Sequence, residues 1–231
     1  MSSPALDVLY EDNHLLVLNT PAGLPTMGTP GGEPTLLSAA KEYIKEKYQK
    51  PGNVYLGIMS RLDAPVTGVV LLARTSKAAA RMTEQFRTHA VEKTYWTLVA
   101  GTPYPASGSY ANWLIQDERH RRMHVGGVPG TPGPDHSGAK EARLAYRLLF
   151  SDGRMSLLEV ELETGRKHQI RLQMAHHGHP VVGDRKYGSQ LKFPSGIALH
   201  ARRLVVAHPV RGEALVFEAP LPKSWPRGFE Q

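Results

Sequence analysis

The sequence predicts an α+β fold, with a mixed, largely antiparallel central sheet flanked by a few helices and loops. Three observations carry that expectation. Strand-like segments dominate the order of elements, only a few segments have helical period, and strands and helices do not alternate as a parallel sheet with crossovers requires. With 231 residues the chain can bury a sizeable core, in one large domain or two small ones.

Taken in order, LDVLYEDNHLLVLN (6–19) reads as two short strands around an Asp12-Asn13 turn. TPAGLPTMGTPGGEP (20–34) is a Pro/Gly-rich loop. In LLSAAKEYIKEKYQK (36–50), Leu36, Leu37, Ala40, Tyr43, Ile44 and Tyr48 recur at helical spacing, and Thr35 is placed to cap the helix. VYLGIM (54–59) is strand-like. GVVLLAR (68–74) is a nearly continuous apolar run, which suits a buried strand. It feeds a helix, SKAAARMTEQFRTH (76–89), with Ser76 as N-cap and Ala79, Met82 and Phe86 on one face. EKTYWTLVAG (92–101) is rich in β-formers. Residues 102–138 contain DERHRRMH and the turn-rich GGVPGTPGPDHSG, and are expected to form a mobile loop. Residues 140–150 and 154–164 read as strands paired around Ser151-Asp152-Gly153. KHQIRLQMAHHG (167–178) reads as a helix closed by Gly178. ALHARRLVVAHP and EALVFEAP supply two last strands. There are no repeats and no long linker.

Composition narrows the function classes. A net charge of +7 favours polyanionic partners, nucleic acid first, although a soluble enzyme with a basic surface fits the charge equally well. The absence of Cys rules out disulfides and thiolate metal sites and fits a reducing compartment. No apolar stretch approaches a membrane span, and the N-terminus lacks the pattern of a secretory signal. Neither a G-x-x-x-x-G-K-S/T phosphate loop nor a G-x-G-x-x-G fingerprint, an H-E-x-x-H or a G-x-S-x-G elbow occurs. Nucleotide hydrolysis, dinucleotide redox chemistry and standard serine hydrolysis lose support accordingly.

Several stretches are candidates for chemistry. In SRLDAPVTG, Asp63 lies on a turn at the mouth of the buried strand, where a rigidly presented carboxylate serves as nucleophile or general base. On that stretch alone, a turn Asp bonded to its own backbone or paired with Arg61 is the plainer reading. Tyr95, in EKTYW, either stacks on a flat ring or packs in the core. TGRKHQIR brings Arg166, Lys167, His168, Gln169 and Arg171 together. On a helix, Lys167 and Arg171 share a face, which suits phosphate, a carboxylate partner or plain solvation. His176, His177 and His179 lack the one-turn pairing and nearby carboxylate of a zinc site, so no metal is expected. DERHRRMH is a solvated loop or a phosphate contact.

In their order, these stretches resemble the RluA-type pseudouridine synthases over nearly the whole chain. LYEDNHLLVLNTPAGLPT is similar to the family's opening strand pair and its NKPAGL turn, and SRLDAPVTGVVLLART to its HRLDxxTSG motif. EKTYWTLVAG matches a K-x-Y strand, and LEVELETGRKHQIRLQMAHHGHPVVGDRKYG a TGRxHQIR block ending in GDxxYG. IALHARRL and FEAPLP resemble the closing segments. The departures are Thr20 for Lys, Ser60 for His, Val66-Thr67 for Thr-Ser, and Gln173 where His is frequent.

The resemblance implies an enzyme that isomerises uridine to pseudouridine in ribosomal or transfer RNA. It implies Asp63 as nucleophile, Tyr95 stacked on the base, and Arg171 ion-paired with Asp63. It also implies Arg61 filling the gap left by a flipped nucleotide and Leu199 packed beneath the base. Arg166, Lys167 and His168 become RNA contacts. Such a reaction on an uncharged base needs no metal and no cofactor, and the chain has no membrane span. A monomer is the default expectation, the missing targeting signals point to the cytoplasm, and because the catalytic pattern starts by residue 6 a single catalytic domain over 1–231 is expected, without a separate N-terminal RNA-binding module. The competing readings are a non-catalytic RNA-binding or ribosome-assembly protein on the same fold, and a hydrolase using Asp63 as base.

Overall fold

The computed structural model describes residues 6–28, 32–117, 122–127 and 138–226. The chain divides into two compact units, Met1–Glu92 with His200–Lys223, and Lys93–Leu199 with Ser224–Gln231. No helix among the described residues is long and apolar enough to cross a membrane.

The first unit is built around one fully buried strand. β1 (Asp7–Glu11) and β2 (Leu15–Thr20) form a hairpin, and β2 pairs antiparallel with β4 (Thr67–Ala73), every residue of which is buried. The other edge of β4 is shared. β10 (Leu199–Ala207) runs parallel to it at Thr67 and Gly68, while β3 (Gly57–Ile58) is antiparallel at Leu72 and Ala73. β11 (Ala214–Glu218) pairs antiparallel with β10.

Alternation explains the apolar runs. Leu15, Val17, Val69 and Leu71 pack with Met82 of α2 (Ser76–Arg87), together with Leu204, Val206 and Phe217. Leu16, Leu18, Val70 and Leu72 pack on the opposite face, with Leu36, Ala40 and Ile44 of α1 (Leu36–Lys47). A sheet covered on both faces needs apolar residues at both parities of the strand. The Thr35 cap holds as expected: its hydroxyl accepts from Ser38 N at 3.1 Å, and Thr35 N donates to Ser38 Oγ at 2.9 Å. The second cap is Thr75 rather than Ser76. The Thr75 hydroxyl accepts from Ala78 N at 3.1 Å, so Ser76 is the first residue of the helix instead of its cap.

The second unit is an antiparallel sheet in the order β5-β9-β8-β6-β7: β5 (Glu92–Ala100), β9 (Met155–Leu162), β8 (Lys140–Ser151), β6 (Ser107–Asp117) and β7 (Arg122–Gly127). The β8–β9 turn forms where expected, with Asp152 Oδ1 accepting from Arg154 N and Met155 N at 2.8 and 2.6 Å. With β4 and β10 the parallel exception, the expected mixed, largely antiparallel α+β pairing is present.

Two expectations are corrected. The stretch 102–138 is not a loop throughout, because β6 pairs with β8 from Ser107 to Leu114 and with β7 from Trp113 to Asp117. Residues 118–121 and 128–137 lie outside the described residues. The third helix, α3, spans only Gln169–His176, because His168 adopts a left-handed φ of 56° and ends the helical path there. Lys167 is therefore off the helix and exposed while Arg171 is buried, so the two do not share a face. The solvated basic face is overturned as well, since Gln169 through Met174 are all buried.

Candidate active site

Asp63 sits half-buried on the turn before β4. Val66 N donates to Asp63 O at 2.9 Å and closes that turn. The loop after β2 grips the residues on either side. The Thr26 hydroxyl accepts from Leu62 N at 3.1 Å and donates to Leu62 O at 3.0 Å, and Gly23 N donates to Ala64 O at 2.7 Å. Thr26 is itself buried. The Pro/Gly-rich stretch is thus a clamp on the backbone that carries the carboxylate.

Downstream, Gly68 has a φ of 113°, and a Cβ there would lie 2.3 Å from Ala201 O. Only glycine lets β4 meet β10 so closely. Thr67 and His200 face each other at this crossing, Oγ1 to Nδ1 at 2.7 Å, and His200 Nε2 lies 3.1 Å from Ala219 O. A carbonyl only accepts, so Nε2 carries the proton and Nδ1 accepts the Thr67 hydroxyl. Burial pushes the His200 pKa down to about 4, with Arg202 adding to the effect against the bond to Ala219, so the imidazole is neutral.

The departures from the family pattern have structural settings in this unit. Ser60 Oγ accepts from Leu71 N at 2.9 Å, Val66 is buried, and Thr20 is buried with no partner for its hydroxyl among the described residues. Arg61 is exposed.

In the second unit Tyr95 is half-buried on β5, opposite Val160 of β9. Arg171 is held by a carboxylate that sequence reasoning missed. Its Nε and Nη2 donate to Asp184 Oδ2 and Oδ1 at 2.6 and 3.0 Å, with both side chains buried. The guanidinium lies over the Tyr187 ring at 5.2 Å, and Tyr187 Oη is 2.6 Å from His168 Nδ1. His168, Arg171, Asp184 and Tyr187 thus form one cluster. The GDRKYG stretch is where the signal for it lay.

The TGR turn is stitched through Gln169. Its Oε1 accepts from the Thr164 hydroxyl and from Arg166 N, both at 2.9 Å, and its Nε2 donates to Arg143 O at 2.9 Å. Arg166 is exposed, with Nε donating to Glu141 O at 2.8 Å. Leu199 is buried at the start of β10. Gln173 is buried and donates to Asn112 Oδ1 at 2.8 Å. His177 stacks on Tyr110, centroids 3.6 Å apart and planes at 6°, while His179 Nδ1 donates to Ala100 O at 2.9 Å. Of DERHRRMH, Arg122 and His124 are exposed on β7 and Met123 is buried, while residues 118–121 lie outside the described residues.

The RNA pseudouridylate synthase family model matches residues 14–176, which include Asp63, Tyr95 and Arg171. The chain belongs to that family. It is 37% identical over 224 residues to an RNA pseudouridine synthase of Synechocystis sp., covering 94% of this chain and 66% of that protein. It is also 37% identical to ribosomal large subunit pseudouridine synthase D of Xylella fastidiosa, again covering 94% of this chain and 66% of the other. The chain therefore spans slightly less than two thirds of these relatives. Among solved structures, human RNA pseudouridylate synthase domain containing 4 superposes with a TM-score of 0.79 at 26% identity, covering 94% of this chain and 89% of that one. Pseudouridylate synthases thus supply both the sequence relatives and a close structural neighbour of this chain, as the motifs imply.

Proposed function

We propose that this protein is an RNA pseudouridine synthase that isomerises specific uridines in ribosomal or transfer RNA. The observation that carries the reading is the setting of Asp63, a carboxylate on a turn clamped from both sides inside the family-matched region. The target uridine is extruded from its stack, because its glycosidic bond is unreachable inside a folded RNA. Arg61 fills the vacated space, Tyr95 stacks on the base and assists proton transfer, and Leu199 packs beneath it. Arg166, Lys167 and His168 contact the RNA strand.

Asp63 attacks at C6 of the base or at C1′ of the sugar. The N1–C1′ bond breaks, the uracil turns, a C5–C1′ bond forms, and the bond to Asp63 breaks again to release the carboxylate. The C5 proton leaves and N1 gains one, so the RNA keeps its mass. Arg171, oriented by Asp184, serves as the counterion of the Asp63 carboxylate. A base moved within one molecule needs neither redox cofactor nor Lewis acid, so the reading includes no metal and no cofactor. It also has the protein acting as a monomer, in the cytoplasm where such RNA is matured.

Incubating purified protein with unmodified transcripts of large-subunit ribosomal RNA and of transfer RNAs tests this. Pseudouridine at one or a few positions, in RNA of unchanged mass, is expected from the wild type and not from Asp63→Asn. Free uracil or cut RNA would instead make the protein a hydrolase. Binding without modification by the wild type would make it a non-catalytic RNA-binding protein.

A further inference from the structure

Lys93 is unusual among the basic residues. It is half-buried on β5, and among the described residues no carboxylate lies within ion-pair distance of it. Its Nζ lies over the TGR turn, 3.9 Å from where a Cβ on Gly165 would stand. The charge that acts on it is Arg166, another cation. Arg166 likewise has no carboxylate partner among the described residues: its Nε is committed to the Glu141 carbonyl, while the Glu141 carboxylate is taken by Arg143 at 2.6 Å. Burial first, and Arg166 second, push the lysine's pKa down. A lysine stem that merely covers apolar surface carries its ammonium out to water. This one ends beside a second cation on a turn.

An anion resolves that arrangement. Successive side chains of a strand alternate between faces, so Lys93 and Tyr95 share one face of β5, their Cα atoms about 7 Å apart. That spacing is on the scale of a single nucleotide.

We propose that Lys93 and Arg166 together bind a backbone phosphate of the RNA next to the uridine that Tyr95 holds. The inference rests on the RNA isomerase reading above. Lys93 supplies a point charge, and Arg166 supplies the guanidinium NH₂ groups, since only its Nε is committed to the Glu141 carbonyl.

The probe is whichever unmodified transcript, ribosomal or transfer, the wild type modifies. Equilibrium binding over a KCl series and single-turnover rates at saturating RNA are measured for the wild type, Lys93→Gln, Lys93→Arg and Arg166→Gln. Lys93→Gln and Arg166→Gln are each expected to weaken binding about tenfold. Each should also reduce the slope of log affinity against log salt by about 0.7 to 0.9. The saturating rate should stay within about twofold, and Lys93→Arg should restore most of the affinity.

Wild-type affinity and salt slope in Lys93→Gln would overturn the proposal and leave Lys93 a packing residue. A lost saturating rate at unchanged affinity would overturn it too, and move Lys93 into the chemistry. Arg166 is exposed, so Arg166→Gln tests the same phosphate contact if Lys93→Gln does not fold. A wild type that modifies neither transcript removes the isomerase reading and this inference with it. That result is distinct from a modified RNA whose binding ignores Lys93.

Discussion

Asp184 and His200 show how single buried groups hold the candidate site. Asp184 makes two short bonds to Arg171 with both side chains out of water. Removing its charge takes away the carboxylate that accepts from Arg171 Nε and Nη2 in a buried setting. We expect Asp184→Asn to cost about 3 kcal/mol in urea unfolding and to lower the turnover rate more than it raises KM, because Arg171 loses its orientation. Unchanged stability would mean that the pair is not a structural anchor. His200 makes the fold acid-sensitive. Its folded pKa is about 4 and its ordinary value 6.5, so between those values the unfolded chain binds a proton that the folded one does not. Stability from this group is therefore complete above about pH 6.5 and falls as the pH drops toward 4, by roughly 3 kcal/mol at most. Urea unfolding of the wild type at pH 7 and pH 4.5 checks this against His200→Gln. The variant starts less stable, having lost its fit to Thr67 and Ala219, and should lose less on acidification.

At the scale of elements, the site depends on how β4 is entered and what runs beside it. Gly68→Ala would force a side chain into the Ala201 backbone at a positive φ. The expected loss is at least about 2 kcal/mol in thermal or urea unfolding, with activity falling alongside because the Asp63 turn opens into this strand. Thr26→Val keeps the shape of the clamp but leaves Leu62 N and O without their partner, a cost of about 1 to 3 kcal/mol. Its turnover should fall further than its affinity for RNA, which single-turnover kinetics against RNA titration would separate. Much at this scale is legible in the sequence. The continuous apolar run of β4, the Thr35 cap and the Asp152 turn are local signals that need no knowledge of neighbours. What is not legible depends on distant partners. β6 is written in a stretch full of turn residues and becomes a strand by pairing with β8 some thirty residues later. The helix start at Gln169 is set by a positive φ at His168, which side-chain spacing does not encode.

At the scale of the whole molecule, the family is readable from the order of its motifs, and the match over residues 14–176 agrees with it. Asp63, Tyr95 and Arg171 come from that order. Asp184 does not, although it lies in the GDRKYG motif, because its pairing with Arg171 across thirteen residues is made by the fold. Lys93 is hidden in the same way, since only in three dimensions does a lysine in a strand motif show that no carboxylate pairs with it among the described residues. The proposed function stands or falls with uridine isomerisation by Asp63 on a cellular RNA. The most direct measurement is a single-nucleotide pseudouridine map of total RNA from cells lacking this gene, complemented with the wild type or with Asp63→Asn. One or a few pseudouridines are expected to vanish with the gene, return with the wild type, and stay absent with Asp63→Asn at equal protein level. A map unchanged by loss of the gene, or restored by Asp63→Asn, would contradict it.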